Sequence, residues 1–426
     1  MRTFVFLGIF FLFWITTTPF PDLSAVINPA DPRSDALYQA VMLLLSAMLL
    51  FFGLRHPLRR MILQPAALLS AIFIWYIFVS ILSLHPDVAV KRAILGALVC
   101  MNASIFLLLP KSERHFAALL SLATLVMLGF AYWGVTVWPQ YAIHNIGDFA
   151  ERELAGDWRG QFSHKNITAG VMVISVFFGL YAWSSHLRLR AVVIVVLSTY
   201  FLFRTGGKTS SAALPATLVL AALFERLRSL RFLIVLGGII AINFVTVGAA
   251  FLEPVRELLA SVGIDPTFTT RTDIWRLAIN AVARQPITGY GFDVFWGSPE
   301  LIYGGGQIES GALNAGTAHN GYVDTLVSAG IPGLILIFVW LLILPIIYIE
   351  RAEEQGGNPH LTRLFSRIWL YVIFASCTDT LFFQNRNPVW FALLIAVFGL
   401  RFQAKSDMIE SAVPRVATGA LSAQPT

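Results

Sequence analysis

Polar side chains that could bind an anion or move a proton are grouped in a few short segments between long apolar stretches. Arginine and lysine can neutralise a phosphate, and histidine is the side chain best suited to move a proton near pH 7. The candidate residues are Arg159, His164, Lys165 and Asn166; Arg204 and Lys208; Arg271; His319, Asn320 and Asp324; and Arg386.

The segment 156–166 leads into an apolar stretch that is typical of a helix. Ser163 is a potential N-cap, which would place His164, Lys165 and Asn166 in the first turn. Free backbone N–H groups in a first turn favour an anion. The competing interpretation is that a cation at a span end only extends to the water boundary. That interpretation applies equally to Lys165, Arg204, Lys208 and Arg386.

The segment 204–211, RTGGKTSS, resembles a fragment of a phosphate-binding P-loop. The full G-x-x-x-x-G-K-[ST] pattern is missing and no strand precedes it, so we reject nucleotide binding. A glycine turn with two cations, Arg204 and Lys208, remains. Together with Lys165 and Arg386, these cations favour an anion site at one face of the membrane.

Arg271 lies at the start of a predicted helix, with Thr270 as its N-cap and Pro286 beyond its end. The helix macrodipole disfavours a cation in the first turn. A bound diphosphate would explain the arginine, because both the guanidinium and the helix N-terminus would face it.

His319 is a candidate general base just before another apolar stretch. A lone histidine at a helix start is more often structural, so its neighbours matter. Asn320 and Asp324 are four residues apart and could share one polar face beside it.

Transmembrane helices must position these residues. The chain has 426 residues, of which 57% are hydrophobic and 13% charged, whereas soluble proteins carry about 25% charge. Apolar runs without alternation predict helices rather than strands. The sequence therefore predicts an all-α polytopic membrane protein with about 12 transmembrane helices and one large periplasmic loop that carries short helices.

The predicted spans, by residue number, are 4–20, 38–54, 66–84, 93–109, 116–138, 167–185, 191–203, 209–224, 232–252, 325–349, 367–383 and 388–402. They divide the chain into helices 1–9 within residues 1–252, the large periplasmic loop at 253–318, helices 10–12 within 319–403, and a disordered cytoplasmic tail at 404–426.

Lysine and arginine are distributed unevenly between the two sides: 17 lie on one side and 9 on the other, once four in the long loop are set aside. This asymmetry predicts that both termini are cytoplasmic and that the long loop is periplasmic. The net charge of +6 therefore needs no nucleic acid as a partner, and no nucleic-acid-binding pattern is present.

Four motifs, in this order and spacing, resemble the O-antigen ligase and polysaccharide polymerase superfamily. They are RTDIW at 271–275, PITGYG at 286–291, HNGY at 319–322 and GIPG at 330–333. The segment 158–166 is most similar to the exopolysaccharide polymerase (ExoQ-type) branch. Thr270 departs from the glycine that this branch often has before the arginine.

Such proteins transfer a glycan from a polyprenyl diphosphate to a sugar hydroxyl at the outer face of the bacterial inner membrane, without a metal or another cofactor. The resemblance implies that His319 is the catalytic base and that Arg204 and Arg271 hold the diphosphate. Lys165 and Lys208 match polar positions of the family and are assigned to the same diphosphate. The candidate supporting residues are Arg159, His164, Asn166, Asn320, Asp324 and Arg386.

The resemblance also implies the partners: an undecaprenyl-diphosphate-linked oligosaccharide, membrane lipids and, as further candidates, a chain-length regulator and a flippase. Three functions stay open. The first is a metal-independent, inverting polymerase of exopolysaccharide, and the second is a ligase that uses lipid A-core or protein as acceptor. The third, a transporter, would need ionisable groups near mid-span, whereas the cations here lie near span ends.

The charge asymmetry makes a direct prediction about topology. A reporter fused at Gln307 should report the periplasm, and one fused at Gln355 the cytoplasm, because the positive-inside rule places the long loop outside. Paired alkaline phosphatase and fluorescent protein fusions measure this. The opposite pair of results would exclude a periplasmic active site.

Overall fold

A computed structural model describes residues 1–24, 32–148, 152–268, 271–296, 298 and 315–405. These ranges fold into α-helices with short 3₁₀ and π turns. In chain order the helices are α1 Arg2–Trp14, α2 Pro32–Leu54, α3 Ala66–Ile81, α4 Pro86–Phe106, α5 Glu113–Val137, α6 Pro139–Ala142, α7 Lys165–Ser184, α8 Arg188–Arg204, α9 Lys208–Arg226, α10 Gly238–Thr246, α11 Glu253–Ser261, α12 Arg271–Arg284, α13 Gly321–Phe338, α14 Leu344–Glu354, α15 Pro359–Ala375 and α16 Pro388–Gln403.

Within these described ranges, six helical segments are long and apolar enough to cross a membrane: Ala36–Leu54, Pro86–Phe106, Glu113–Val137, Lys165–Ser184, Leu233–Ala250 and Gly321–Glu354. Helices α1, α3 and α16 are apolar but shorter. These findings confirm an all-helical, multi-pass membrane protein. Each predicted span overlaps a helix, while the number of twelve crossings and the four-part division of the chain stay predictions.

Several predicted span boundaries differ from those of the helices by more than four residues, and one of these differences bears on the candidate site. The predicted span 367–383 corresponds to α15, which ends at Ala375, so residues 376–387 form a connection between α15 and α16. Residues 376–380 of this connection lie beside the start of α13, where the Gly321 N–H donates to the Ser376 carbonyl (2.8 Å).

Helices α7 and α16 lie at the centre of the bundle. Every residue of α16 is buried, and so is most of α7. A helix that is apolar on all sides is typical of such a central position. The outer helices instead expose large apolar side chains, including Leu44 on α2, Ile74 on α3 and Ile240 on α10. Such surfaces are suited to contact with lipid tails.

Contacts between helix ends bring several candidate residues to one end of the bundle, which we call the site end. The Ser210 hydroxyl, in the first turn of α9, lies 3.3 Å from the Tyr371 hydroxyl near the end of α15. The end of α8 lies here as well, because a short turn joins it to the start of α9. The turn at 185–187 joins the other end of α8 to the end of α7, so the start of α7 returns to this same end of the bundle. The start of α13 joins them through Ser376.

The PITGYG and GIPG motifs pack against each other and fix α12 to α13. The Tyr290 N–H donates to the Val327 carbonyl (2.8 Å), and the Ile331 N–H donates to the Pro286 carbonyl (2.8 Å). At Gly330, where φ is +64°, a Cβ would lie 2.1 Å from the carbonyl oxygen of Ile287. Only glycine fits there, and the resulting kink in α13 accepts the turn that follows α12.

Candidate functional site

The backbone around His319 is held in an unusual conformation. His319 has φ +48°, in the left-handed region that few residues other than glycine adopt. Both neighbours are anchored: the Ala318 N–H donates to the Asp324 carboxylate (3.0 Å), and the Asn320 N–H donates to the Thr380 hydroxyl (3.2 Å). Such strain persists only where the surroundings determine it, and it is common at functional sites. The imidazole is therefore aimed by a rigid backbone.

Asn320 caps α13 and is completely buried. Its side-chain oxygen accepts from the backbone N–H groups of Tyr322 and Val323. Its amide group donates to the Asn243 side chain (2.7 Å) and to the Cys377 carbonyl (2.9 Å). With all these groups satisfied inside the protein, Asn320 supports the site by holding three segments together.

Asp324 is likewise engaged inside the protein. Its carboxylate accepts from the Trp296 indole N–H (2.6 Å), from the Ala318 N–H and from the Thr380 hydroxyl. The sequence predicted a polar face shared by Asn320 and Asp324 beside His319. In the structure both side chains bond to the connection after α15, Asn320 through Cys377 and Asp324 through Thr380. Asp324 also accepts from the Ala318 N–H, so the backbone on either side of His319 is held.

Helix α12 connects the candidate diphosphate arginine to the candidate base. Arg271 is its first residue, and one turn later the buried Trp275 indole donates to the Ala318 carbonyl (2.9 Å). The position of Arg271 relative to His319 is thus set by a rigid helix and one buried hydrogen bond. The helix begins and ends as predicted, while the expected N-cap, Thr270, lies outside the described residues.

Asp379 joins these two residues into one group, which we call the arginine–histidine cluster (Arg271, His319 and Asp379). The Asp379 carboxylate lies 3.8 Å from Nδ1 of His319, and these two side chains are 33% and 34% exposed. Arg271 donates to the carbonyl of the adjacent Thr378. Burial lowers the pKa of the Arg271 guanidinium, and the charge of Asp379 offsets part of that effect. The cluster therefore combines a cation, an anion and a partly exposed imidazole.

A second group, the tryptophan–arginine cluster (Asp157, Trp158, Lys165 and Arg204), lies where α8 ends and α7 begins. The Arg204 guanidinium stacks 4.9 Å from the Trp158 ring centre, and the Trp158 N–H donates to the Arg204 carbonyl (2.9 Å). Lys165 donates to Asp157 (2.5 Å). At Gly206, with φ +60°, a Cβ would lie 2.4 Å from the same carboxylate, so the glycine turn closes on Asp157.

The start of α7 differs from the sequence prediction. His164, rather than Ser163, is the N-cap, because its ring accepts from the Asn166 N–H (3.0 Å). His144 adds a second contact: its Nε2 accepts from the Lys165 N–H (3.3 Å), and its Nδ1–H donates to Asp148 (2.7 Å). Burial lowers the pKa of His144, which favours this neutral form. These histidines hold the backbone of the first turn.

The remaining candidates occupy separate positions. Lys208 is exposed at the start of α9, two residues before Ser210, and Asn166 is half-buried in the first turn of α7. Arg159 is fully buried and donates to the carbonyls of Phe162 and Pro21. Burial lowers the pKa of this guanidinium, and its bonds link the segment 156–166 to the segment after α1.

Arg386 lies between α15 and α16 and stacks on the ring of Tyr38 (4.5 Å). The backbone next to it is tied to other helices: the Asn385 carbonyl accepts from the Tyr38 hydroxyl, and the Asn385 side chain donates to the Arg92 carbonyl (3.0 Å). No described contact joins Arg386 to either cluster.

Sequence reasoning missed Asp379 and gave Asp157 no role. A charged residue inside an apparent membrane span is a signal for function, and Asp379 lay within the predicted span 367–383. That signal could have identified it. Asp157 lay within a segment already singled out, but nothing in the sequence indicated that it would pair with Lys165.

The fold and the site together define a helical, multi-pass membrane protein with a cation, a carboxylate and a histidine at one end of its bundle. Comparison with known proteins agrees with the motifs: residues 193–338 match the family described as O-Antigen ligase. Over 181 residues the chain is 26% identical to the exopolysaccharide production protein ExoQ of Rhizobium meliloti (strain 1021). That similarity covers 40% of this chain and 40% of the relative.

These matches confirm the resemblance to the O-antigen ligase and polysaccharide polymerase superfamily and its ExoQ-type branch. The matched segment 193–338 contains Arg204, Lys208, Arg271 and His319. Lys165 and Asp379 lie outside it, although both belong to the clusters described above.

The buried bonds of Asn320 indicate that it supports the structure of the site and takes no direct part in the reaction. A stability measurement tests this. Asn320→Ala removes the cap of α13 and leaves buried partners unsatisfied, so it should cost about 2–4 kcal/mol of folding free energy. Asn166→Ala, in the half-buried first turn of α7, is the matched control and should cost less than about 1 kcal/mol. Thermal unfolding in detergent measures both. Equal melting temperatures for the two variants would contradict a supporting role for Asn320.

Proposed function

We propose that this protein is a metal-independent, inverting membrane glycosyltransferase that polymerises polyprenyl-diphosphate-linked repeat units into exopolysaccharide. The reaction takes place at the periplasmic face of the bacterial inner membrane. The observation that carries the proposal is the arginine–histidine cluster: a candidate base and a candidate phosphate ligand share one carboxylate at the site end. The similarity to an exopolysaccharide production protein favours polymerisation.

The chemistry follows from the three side chains. His319 accepts the proton of the acceptor hydroxyl as that oxygen bonds to the anomeric carbon of the donor sugar. The bond between this carbon and the phosphate oxygen breaks, and the diphosphate leaves with its electron pair. Arg271 neutralises the negative charge that grows on the leaving group. Attack opposite the leaving group inverts the anomeric configuration.

Asp379 has two effects in this reaction. It lies beside the imidazole, where its negative charge stabilises the imidazolium that forms when His319 takes the proton. It also partly neutralises Arg271, which would otherwise be a buried cation before the donor arrives. An arriving diphosphate then shares Arg271 with a carboxylate, which permits release of the product diphosphate.

The tryptophan–arginine cluster is the second part of the donor site. Arg204 is exposed and held over Trp158, so its guanidinium is oriented before a ligand binds. Lys208 is exposed four residues further on, at the start of α9. Lys165 is paired with Asp157 and acts mainly by fixing the turn that carries Arg204. The distal phosphate or the first sugar of the donor lies here.

A ligase reaction is the second candidate, because residues 193–338 match a family described as O-Antigen ligase. It would use the same donor chemistry and transfer the glycan to lipid A-core or to a protein. The two functions differ only in the acceptor, so product analysis separates them. A chain-length regulator and a flippase are candidate partners of the polymerase.

Reconstitution tests the function directly. Purified protein supplied with a synthetic lipid-linked repeat unit should produce a ladder of polymer, and the yield should be unchanged in EDTA. Metal independence is expected because the sequence contains no D-x-D motif and because arginine can neutralise the leaving diphosphate.

In that assay a ladder lost with chelator and restored by Mg²⁺ or Mn²⁺ would contradict the metal-independent mechanism. Well-folded protein that transfers no glycan to any acceptor would contradict the proposed function. Transfer of single glycans to lipid A-core, without a ladder, would identify the ligase.

Arginine geometry at the donor site gives a second prediction. Arg271→Lys and Arg204→Lys should each slow transfer at least about tenfold, because lysine lacks the planar, two-pronged contact with phosphate. The matched control is Arg256→Lys in α11, where the arginine pairs with Glu253. Transfer rate at equal protein level measures this. If both site variants transfer glycan as fast as the control variant, neither arginine binds the diphosphate.

His319 gives a third prediction. His319→Asn keeps a residue that tolerates positive φ but removes the imidazole, and it should lose about 10²–10⁴-fold in rate. Asp379→Asn should lose less, because the base remains. Donor binding should persist in both variants.

His360→Ala, exposed at the start of α15, is the control for losing a histidine. Transfer rate per folded molecule and donor affinity, measured together, separate a base from a structural histidine. A structural role would reduce protein abundance while the rate per molecule stayed close to that of the control. That outcome would remove His319 from the mechanism.

A further inference from the structure

Two arginines lie on the exposed edge of α15, at the end of the bundle opposite the site end. Beyond its first two residues, α15 is buried except at Arg363, Arg367 and its last two residues. The two arginines are four residues apart, so they share one face of the helix, about 6 Å apart along its axis. Like charges at this spacing destabilise a helix. Helix stability therefore does not explain why both positions carry an arginine.

One carboxylate faces these arginines. Glu225, near the end of α9, accepts from Nε of Arg363 (3.2 and 3.1 Å to its two oxygens). Glu353, a second carboxylate at this end of the bundle, is bonded to Arg231 (2.7 Å). Within the described ranges Arg367 forms no ion pair or hydrogen bond, and its Nε is buried. We call Glu225, Arg363 and Arg367 the basic edge, in which two cations share one carboxylate.

The asymmetry of charge between the two sides of the membrane does not by itself explain the basic edge. A cation that only marks a membrane boundary extends its charged head into water. Arg363 does so, since its side chain is 48% exposed. Arg367 instead lies about two turns into α15, with its Nε out of contact with solvent. A partly buried guanidinium without a counter-charge is costly, so an anion from outside the chain would stabilise it.

An apolar strip runs from the basic edge toward the site end. On α9, Leu214 and Leu218 share a face with Glu225 at helical spacing. On α15, Phe374 shares a face with Arg367 in the same way. All three apolar side chains are half-buried, so they remain partly open to the membrane. Cations at the bundle end, followed by apolar side chains along two packed helices, match the headgroup and the acyl chain of a phospholipid.

We propose that the basic edge binds the phosphate of an anionic phospholipid, with one acyl chain along the apolar strip. Basic pockets between transmembrane helices bind such headgroups. Arg367 donates to the phosphate, and Arg363 divides its donors between the phosphate and Glu225. The site is separate from the proposed reaction. Its occupation would hold together α9 and α15, whose other ends lie beside the two clusters.

A lipid titration tests the site. Native mass spectrometry of the purified protein in detergent measures its affinity for phosphatidylglycerol. Arg363→Gln and Arg367→Gln should each weaken this affinity at least about tenfold, because each removes charge-assisted hydrogen bonds to phosphate.

The matched control for these variants is Arg55→Gln. Tyr38, near the start of α2, bonds to the connection after α15, so α2 begins at the site end and the exposed Arg55 follows its other end. The control therefore removes the same charge from the same end of the bundle, away from the basic edge. It should change the affinity by less than about twofold.

Glu225→Gln tests the same site with the opposite sign. Removing the carboxylate releases Arg363 for the phosphate, so the affinity for phosphatidylglycerol should rise at least about threefold. If the ion pair served only to hold α9 against α15, this variant would lose thermal stability and gain no affinity, and the proposal would fail. Thermal unfolding without added lipid shows whether each variant is folded.

Two further ligands identify the source of the anion. Phosphatidylcholine with the same acyl chains has no net charge and should bind at least about tenfold more weakly than phosphatidylglycerol. Inorganic phosphate at the same concentration should not displace phosphatidylglycerol, because it lacks the acyl chain. Equal binding of the two phospholipids, displacement by inorganic phosphate, or an equal loss of affinity in Arg55→Gln would each overturn the proposal.

Discussion

Buried polar groups at the start of α13 need partners inside the protein, because lipid offers none and an unpaired group costs free energy. Asn320 and Asp324 meet this requirement by bonding to the connection after α15, to the residue before His319 and to Trp296. Satisfying them fixes the backbone of His319 in a left-handed conformation. The bonds that satisfy the buried polar groups of α13 therefore also orient the candidate base. Stability and the proposed function would then depend on one network.

Charge balance explains why an arginine stands in the first turn of α12. Helix geometry alone disfavours a cation there, and burial lowers the pKa of Arg271 further. Asp379 compensates in part, and its carboxylate also lies 3.8 Å from Nδ1 of His319. A diphosphate would complete the compensation that the protein leaves partial.

Composition and apolar run length were sufficient to predict the helices, because lipid constrains every span in the same way. His319 and Arg271 could be predicted because their motifs are local. The spacing of Asn320 and Asp324 suggested one shared polar face, but it could not show that both side chains would bond to the connection after α15. Asp379 was missed because apolar neighbours on both sides extended the predicted span 367–383 past the true end of α15. Likewise, no local pattern indicates that the turn after α12 fits the kink at Gly330, since that contact forms only in the folded chain.

The residues of the two clusters are held in place by different kinds of contact. The arginine–histidine cluster is built on α12, α13 and a connection that are bonded to one another, so its atoms are preorganised. The tryptophan–arginine cluster lies on the turns at 156–166 and 204–208, which glycine geometry and an ion pair hold together. The hydroxyls of Ser210 and Tyr371 link α9, which begins beside the tryptophan–arginine cluster, to α15, which ends beside the arginine–histidine cluster. If the donor is a lipid-linked diphosphate, as proposed above, both clusters would contribute to its binding. Under that proposal a polymerase and a ligase would share this donor site, so the distinction between them would come from how an acceptor hydroxyl reaches His319.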